Sequence, residues 1–355
     1  MTQRLRVLAA LLAIMLLLPL TGCSAQKQQS AAYQKFSGVF YDSFDTVTTV
    51  IGYAQQRETF DKAFAEVKGM FDRYHQVFDG YNEYAGVNNL FTVNRDAGKG
   101  PAKAEQELID LLLWLQKEQG ATRGQANVAL GPVLKIWHDY RTLGVEVPLM
   151  QDLLDASAHT DFDKVVVDAE NGTVHFLDPD MRLDLGAVAK GYTVEIVAQK
   201  LLAGDMPSFI ISAGGNVRCG IKPLDGRNRW GVAIEDPQNT SNYKDVLFMT
   251  NLSAVTSGDY QRYYTVDGVK YHHLIDPDTL MPGAHMHAVT IVTEDSGLAD
   301  LMSTAVFLMP YEEGREFVDS IPGVEAYWVL LDGSVRMTEG MTRMLRSQGA
   351  TANDK

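Results

Sequence analysis

The stretch Asp163-Lys164-Val165-Val166-Val167-Asp168-Ala169-Glu170-Asn171-Gly172-Thr173-Val174-His175-Phe176-Leu177 decides the fold class. Two extended runs, Val165 to Val167 and Val174 to Leu177, flank Asn171-Gly172, and that dipeptide between β-branched runs signals a hairpin. Further along, Tyr263–Val266 and Val269–His273 flank Asp267-Gly268 and predict a second hairpin. Between the two hairpins the pattern predicts a helix over about Ala187–Leu202 and a strand at Ser208–Ser212, which runs into Ala213-Gly214-Gly215-Asn216. Further strands are expected at Trp230–Ile234, Val246–Thr250, Ala288–Val292 and Ala326–Leu331, with helices at Leu298–Met309 and Glu312–Ser320. Upstream, Phe60, Phe64, Val67, Phe71 and Tyr74 recur at helical spacing over Thr59–His75. Leu108, Leu111, Leu112 and Leu115 do the same over Glu105–Gln119. Hairpins interleaved with helices predict α+β rather than a doubly wound sheet. No Pro/Gly/Ser-rich linker interrupts residues 36–345, so they are expected to form one compact domain of mixed and antiparallel sheets with packed helices.

The N-terminus has a different character. Arg4 and Arg6 precede an apolar run from Val7 to Leu20, which ends at Thr21-Gly22-Cys23. A charged start, an apolar middle and small residues before a processing site read as a signal peptide. Leu20-Thr21-Gly22-Cys23 resembles a bacterial lipobox, in which Cys23 is lipidated and becomes the mature N-terminus. The expected organisation is a signal peptide over 1–22, a lipidated cysteine and polar tether over 23–35, the domain, and a polar tail over 346–355. The expected location is the outer face of the cell membrane, held there by the lipid.

Composition bounds the function. Hydrophobic residues make up 46% of the 355, enough for a sizeable core. The net charge of −14 argues against nucleic acid as a partner, since that binding needs basic patches that displace counterions. The chain has two cysteines, so Cys219 stands alone once Cys23 carries lipid, and it reads as a buried small residue.

Generic catalytic signatures are missing: no P-loop, no Gly-x-Gly-x-x-Gly opening a helix, no Gly-x-Ser-x-Gly elbow and no Cys-x-x-Cys. Four longer blocks carry chemistry. In Asp184-Leu185-Gly186-Ala187-Val188-Ala189-Lys190-Gly191-Tyr192, a glycine permits close backbone approach and a helix start could aim amides at an anion, with Lys190 adding a charge. An ordinary helix cap with a solvated lysine fits the same residues. In Leu298–Met309 the apolar stripe leaves Asp300 and Thr304 together on the other face. Two oxygen side chains one turn apart suit a hard cation such as Mg²⁺, although a wet outer face reads the same way. In Tyr271-His272-His273-Leu274-Ile275-Asp276-Pro277, strand alternation puts His273 and Ile275 on one face. A histidine near a carboxylate could act as a general base, and zinc is disfavoured because adjacent strand histidines point to opposite sides. Ser253 to Tyr260 offers small hydroxyl residues around Gly258, suiting either a close-approach pocket or a plain strand-to-turn segment.

In this order, the blocks resemble the ApbE family of FAD:protein FMN transferases, commonly bacterial lipoproteins, from about Phe36 to Leu345. The residues that carry the resemblance are Asp184 to Tyr192, Gly214-Gly215-Asn216, Thr256-Ser257-Gly258-Asp259-Tyr260, His273-Leu274-Ile275-Asp276-Pro277 and Asp300…Thr304, with Gly124 to Pro132 and Trp137 beside them. The resemblance implies FAD as substrate, Mg²⁺ as cofactor, and transfer of FMN to a threonine or serine hydroxyl of an acceptor flavoprotein, with AMP leaving. It implies the Ala187 carbonyl, Asp300 and Thr304 as magnesium ligands, and Gln125, Ala126, Asn127, Asp184 and Lys190 as FAD contacts. His273 would activate the acceptor hydroxyl, with Asp276 nearby. Alternative outcomes are a Mg²⁺-dependent FAD pyrophosphatase giving FMN and AMP, or a flavin-binding lipoprotein without chemistry. The chain departs from the family's usual residues in three places. Ala126-Asn127 stands for Phe-Asp, Leu280 replaces a glycine after Asp276-Pro277-Asp278-Thr279, and Asp300-Leu301-Met302-Ser303-Thr304 changes only the residues between the two proposed ligands.

Overall fold

In the computed structural model, residues 32–354 are described, and Cys23 with the signal segment lies outside them. The strands are β1 Gln34–Ser43, β2 Thr46–Ala54, β3 Ala102–Lys103, β4 Val165–Asp168, β5 Thr173–Phe176, β6 Phe209–Ala213, β7 Asn216–Cys219 and β8 Trp230–Glu235. They continue as β9 Tyr243–Met249, β10 Ser253–Gly258, β11 Tyr263–Val266, β12 Val269–His272, β13 Met286–Thr293, β14 Glu325–Leu330 and β15 Val335–Met337. The helices are α1 Arg57–Phe78, α2 Leu90–Arg95, α3 Gln106–Glu118, α4 Gly131–Leu143, α5 Met150–Ser157, α6 Ala189–Ala203, α7 Ser296–Leu308, α8 Tyr311–Asp319 and α9 Glu339–Thr342.

Eight strands form one antiparallel sheet in the order β1-β2-β6-β7-β10-β13-β14-β15. Both faces of this sheet are covered, and the period-two pattern shows it. Val255 and its cross-strand partner Ile291 belong to the core under the helices, whereas the neighbouring pair Ala254 and Val292 packs against β8–β9. A second helical cluster, Phe60, Val67 and Phe71 of α1 with Val194 and Val197 of α6, closes over β1, β2 and β6. Among the described residues no helix is long and apolar enough to cross a membrane.

The two expected hairpins form, each with a detail set by its turn. Asp267 and Gly268 both adopt positive φ (49° and 79°), as a two-residue primed turn requires. In the first hairpin Asp168 pairs with Thr173, so the loop has four residues, because the Asp168 carboxylate accepts the Asn171 amide at 2.9 Å. The unforeseen strand β3 adds to β5.

Residues 346–354 of the polar tail pack back onto the domain. Ala350 is buried in one apolar cluster with Val246 and Phe248, and the Asn228 and Arg229 amides donate to the Ala352 carbonyl at 2.8 and 3.0 Å. At the other end, β1 begins two residues before the expected boundary, at Gln34.

Candidate active site

One end of the large sheet opens into a cavity of about 470 Å³, within the size range of small-molecule sites. Its floor comes from strand ends: Thr46 of β2, Gly214 after β6, Asn216 of β7 and Thr256 to Gly258 of β10. Gly214 has φ +53°, and a Cβ there would collide with the Thr46 side chain, so glycine is required where the β6–β7 turn passes beneath β2. One wall is α4, presenting Leu134, Trp137, His138 and Arg141. The facing segments are Gln125 to Asn127, Asp184 to Lys190, His273 to Ile275, and Asp300 and Thr304 of α7. Every site residue expected from the sequence lines this cavity except Asp276 and, outside the described residues, Cys23.

Asp300 and Thr304 do not lie on a wet face, because sheet and helices cover α7 and leave it buried nearly throughout. Asp300 is 4% exposed. Burial raises its carboxyl pKa above the usual aspartate range, against the opposing pull of Lys190. Its Oδ2 accepts the Gly191 amide at 2.8 Å and lies 3.8 Å from Lys190 Nζ. The start of α6 is therefore already held by a carboxylate, so this amide is not free to meet a ligand anion. Gly191 permits that contact: a Cβ there would strike the Ser296 carbonyl and the Asp300 side chain. Gly191→Ala is expected to cost about 1–3 kcal/mol, as overpacking does. A denaturant melt checks this, together with the accompanying fall in turnover.

Asp184 is likewise committed to local structure. Its Oδ1 accepts the Gly186 amide at 2.8 Å and its Oδ2 accepts the Tyr81 hydroxyl at 2.6 Å. Asn127 spends its side chain on the Ala129 amide and the Thr160 carbonyl, so its side-chain groups are already bound when a ligand arrives. Gln125 donates to Asp278 at 3.0 Å and keeps a buried Oε1 without a partner.

His273 follows β12 and is partly buried, and among the described residues its Nδ1 has no hydrogen-bond partner. Burial pulls its pKa down to about 3, helped by the positive charges of Arg262, Lys190 and Arg141. It is a neutral imidazole at physiological pH. Asp276 does not orient it: that carboxylate turns away to accept the Asp278 and Thr279 amides at 2.8 and 3.3 Å, shaping the loop after His273. His272 points the other way, to the Gly283 carbonyl at 2.8 Å.

Several lining residues carried no motif. Tyr81 stacks on His138 with centroids 4.3 Å apart, and Arg141 and Arg262 bring positive charge. Asp259 of the Thr256–Tyr260 block stands behind the cavity, where its carboxylate meets His287 at 2.8 Å and Lys270 at 3.4 Å.

The sequence profile of the ApbE family matches residues 44–328. The chain belongs to the ApbE family. It is 34% identical to the FAD:protein FMN transferase of Treponema pallidum, over 72% of this chain and 75% of that protein. With the Haemophilus influenzae protein of the same name it shares 25% identity over 88% and 90%. The crystal structure of an ApbE protein from Thermotoga maritima superposes with a TM-score of 0.79 at 26% identity, covering 88% and 99% of the two chains. A flavin transferase ApbE from Vibrio cholerae shares the fold, with a TM-score of 0.74 at 21% identity, covering 88% and 100%.

Leu280, in place of the usual glycine, still adopts φ +59°, a strain of roughly 1–2 kcal/mol for a residue with a side chain. Its buried side chain and the Trp137 Nε1 bond to its carbonyl at 2.9 Å hold the turn in shape. The donor set fits a hard cation: Asp300, a buried carboxylate with a raised pKa, lines the cavity together with Thr304 and Ala187, which offer a hydroxyl and a backbone carbonyl. A second cluster, His159 with Asp178 and Asp180, also has metal-like spacing. There Asp178 is already occupied by His159 at 3.0 Å and Lys164 at 3.3 Å, which holds its pKa below the usual value.

Proposed function

We propose that this protein transfers the FMN moiety of FAD to a threonine or serine hydroxyl of an acceptor protein and releases AMP. The observation that carries this reading is the convergence of four distant chain segments on one cavity, where a neutral histidine, a buried aspartate and a lysine meet. Asp300, Thr304 and the Ala187 carbonyl would hold Mg²⁺, which would supply positive charge against the pyrophosphate. Lys190 adds a point charge to the pyrophosphate oxygens. His273, neutral and without a carboxylate partner, takes the proton of the acceptor hydroxyl. The hydroxyl oxygen bonds to the FMN phosphorus, the bond to the AMP phosphate oxygen breaks, and AMP leaves with the electron pair. Gln125 Oε1 and the backbone of Ala126 and Asn127 are the groups that segment has left for FAD. Lipidation of Cys23 would keep the enzyme on the extracytoplasmic face of the cell membrane, beside acceptor flavoproteins.

The test is mass spectrometry of a threonine-bearing acceptor domain incubated with the detergent-solubilised chain, FAD and Mg²⁺. A mass gain equal to FMN, lost on chelation, is expected. Release of FMN and AMP without labelling would instead assign a pyrophosphatase, and intact bound FAD would leave only a carrier.

A further inference from the structure

We propose that Arg141 is a phosphate-binding residue of this site, brought by α4 to the pyrophosphate of FAD as a cationic contact separate from Lys190. This rests on the reading of the cavity as an FAD site. Arg141 stands one helical turn beyond Trp137, in no motif, yet its side chain lines the cavity. The chain is strongly acidic, and several of its arginines meet a carboxylate, as Arg57, Arg73, Arg218, Arg227 and Arg315 do. Arg141 does not: among the described residues its one hydrogen bond is to His138 Nδ1, at 3.3 Å. Burial lowers its pKa from the ordinary value, and Arg262, entering from the loop after β10, adds repulsion. Among the described residues Arg262 also has no carboxylate partner, and it donates to the Phe44 carbonyl at 3.2 Å. A partly desolvated guanidinium facing a cavity, with Asp184 acting on it only from beyond ion-pair contact, is stabilised by an anionic ligand.

Its orientation is built in. A guanidinium only donates, so His138 Nδ1 accepts and the imidazole proton sits on Nε2. Burial, then the charge of Arg141, lowers the His138 pKa and keeps that ring neutral as an acceptor. The ring stacks on Tyr81, whose hydroxyl donates to Asp184. Arg141 is thus tied through His138 and Tyr81 to the segment that leads into α6. Trp137 pins the same helix to the Leu280 carbonyl.

The experiment is FAD binding to the full chain in detergent, followed by flavin fluorescence without Mg²⁺, for wild type, Arg141→Gln and Arg141→Lys. The glutamine variant is expected to raise the FAD Kd about tenfold to a hundredfold, the scale of a lost charge-assisted contact. The lysine variant should recover part of that loss. The fall of affinity with added KCl should flatten in the glutamine variant, while the melting temperature of the ligand-free protein stays as in wild type. Wild-type FAD affinity in the glutamine variant overturns the assignment. Equal losses in both variants with an unchanged salt slope also overturn it, marking Arg141 as a structural prop. A wild-type chain that binds no FAD overturns the contact together with the function beneath it, whereas FAD bound without turnover leaves the contact standing.

Discussion

Asp300→Asn is expected to reduce transfer and AMP release by about 10³-fold or more, the scale of losing several kcal/mol of metal-derived charge stabilisation. The size of the effect follows from the surroundings of the carboxylate. It is almost fully buried, it caps the start of α6 through the Gly191 amide, and it lies beside Lys190. Asparagine is isosteric and can still accept that amide bond, so the helix contact survives and the fold should melt nearly as before. What disappears is the negative charge in a place where burial already disfavours it. A cation bound there would offset that burial, and the asparagine removes the reason for the cation to stay. FAD affinity measured without Mg²⁺ should then be unchanged or improved, since one repulsive charge facing the pyrophosphate is gone. Turnover within tenfold of wild type at the same Mg²⁺ concentration would remove Asp300 from the metal site. A parallel loss of FAD binding and melting temperature would show that the residue is structural.

What the chain reveals before folding follows from how local each signal is. The hairpins at Val165–Phe176 and Tyr263–His272 are announced by Asn-Gly and Asp-Gly, because those residues alone favour the turn conformation. The hairpin of β1 and β2 escapes this reading. Its turn uses Asp42, Phe44 and Asp45 at φ 78°, 56° and 51°, with no glycine to mark it. Helix α4 is hidden for the opposite reason: Gly131-Pro132 looks like a break, yet proline in the first turn of a helix forfeits no hydrogen bond. The reading of α7 shows where one-dimensional patterning ends. Spacing correctly pairs Asp300 with Thr304, but only the sheet and helices packed around α7 make their face a buried one. Asp276 fails in the same manner, since proximity in sequence to His273 says nothing of where its carboxylate turns. Tyr81, His138 and Arg141 reach the cavity through helix packing and stacking, which no motif encodes.

His273→Ala is expected to slow transfer about 10²- to 10⁴-fold, the usual contribution of a positioned general base, with FAD affinity little changed. The sharper expectation concerns pH. An ordinary histidine, near 6.5, would make kcat/KM for FAD fall as the pH drops through 6. Burial and the charges of Arg262, His272, Lys190 and Arg141 hold His273 at about 3 in the free protein. At saturating Mg²⁺, kcat/KM should therefore stay level from pH 8 down to about 5, since the free enzyme's imidazole takes no proton in that range. Once FAD is bound, its two phosphates offset the same cations, and an imidazolium becomes easier to form. The pH dependence of kcat should then show an acid limb at higher pH than that of kcat/KM. Bound substrate would make His273 a stronger base at the moment a hydroxyl proton has to be taken. The linkage to folding has a definite sign. Between about 6.5 and 3 the unfolded chain holds a proton on this residue and the native protein does not, so stability falls as pH drops through that window. His273→Leu should flatten that part of the stability profile. An acid limb of kcat/KM centred near 6.5, abolished in His273→Ala, would mean that the ring is solvated in the working enzyme and that substrate has no such influence on its basicity.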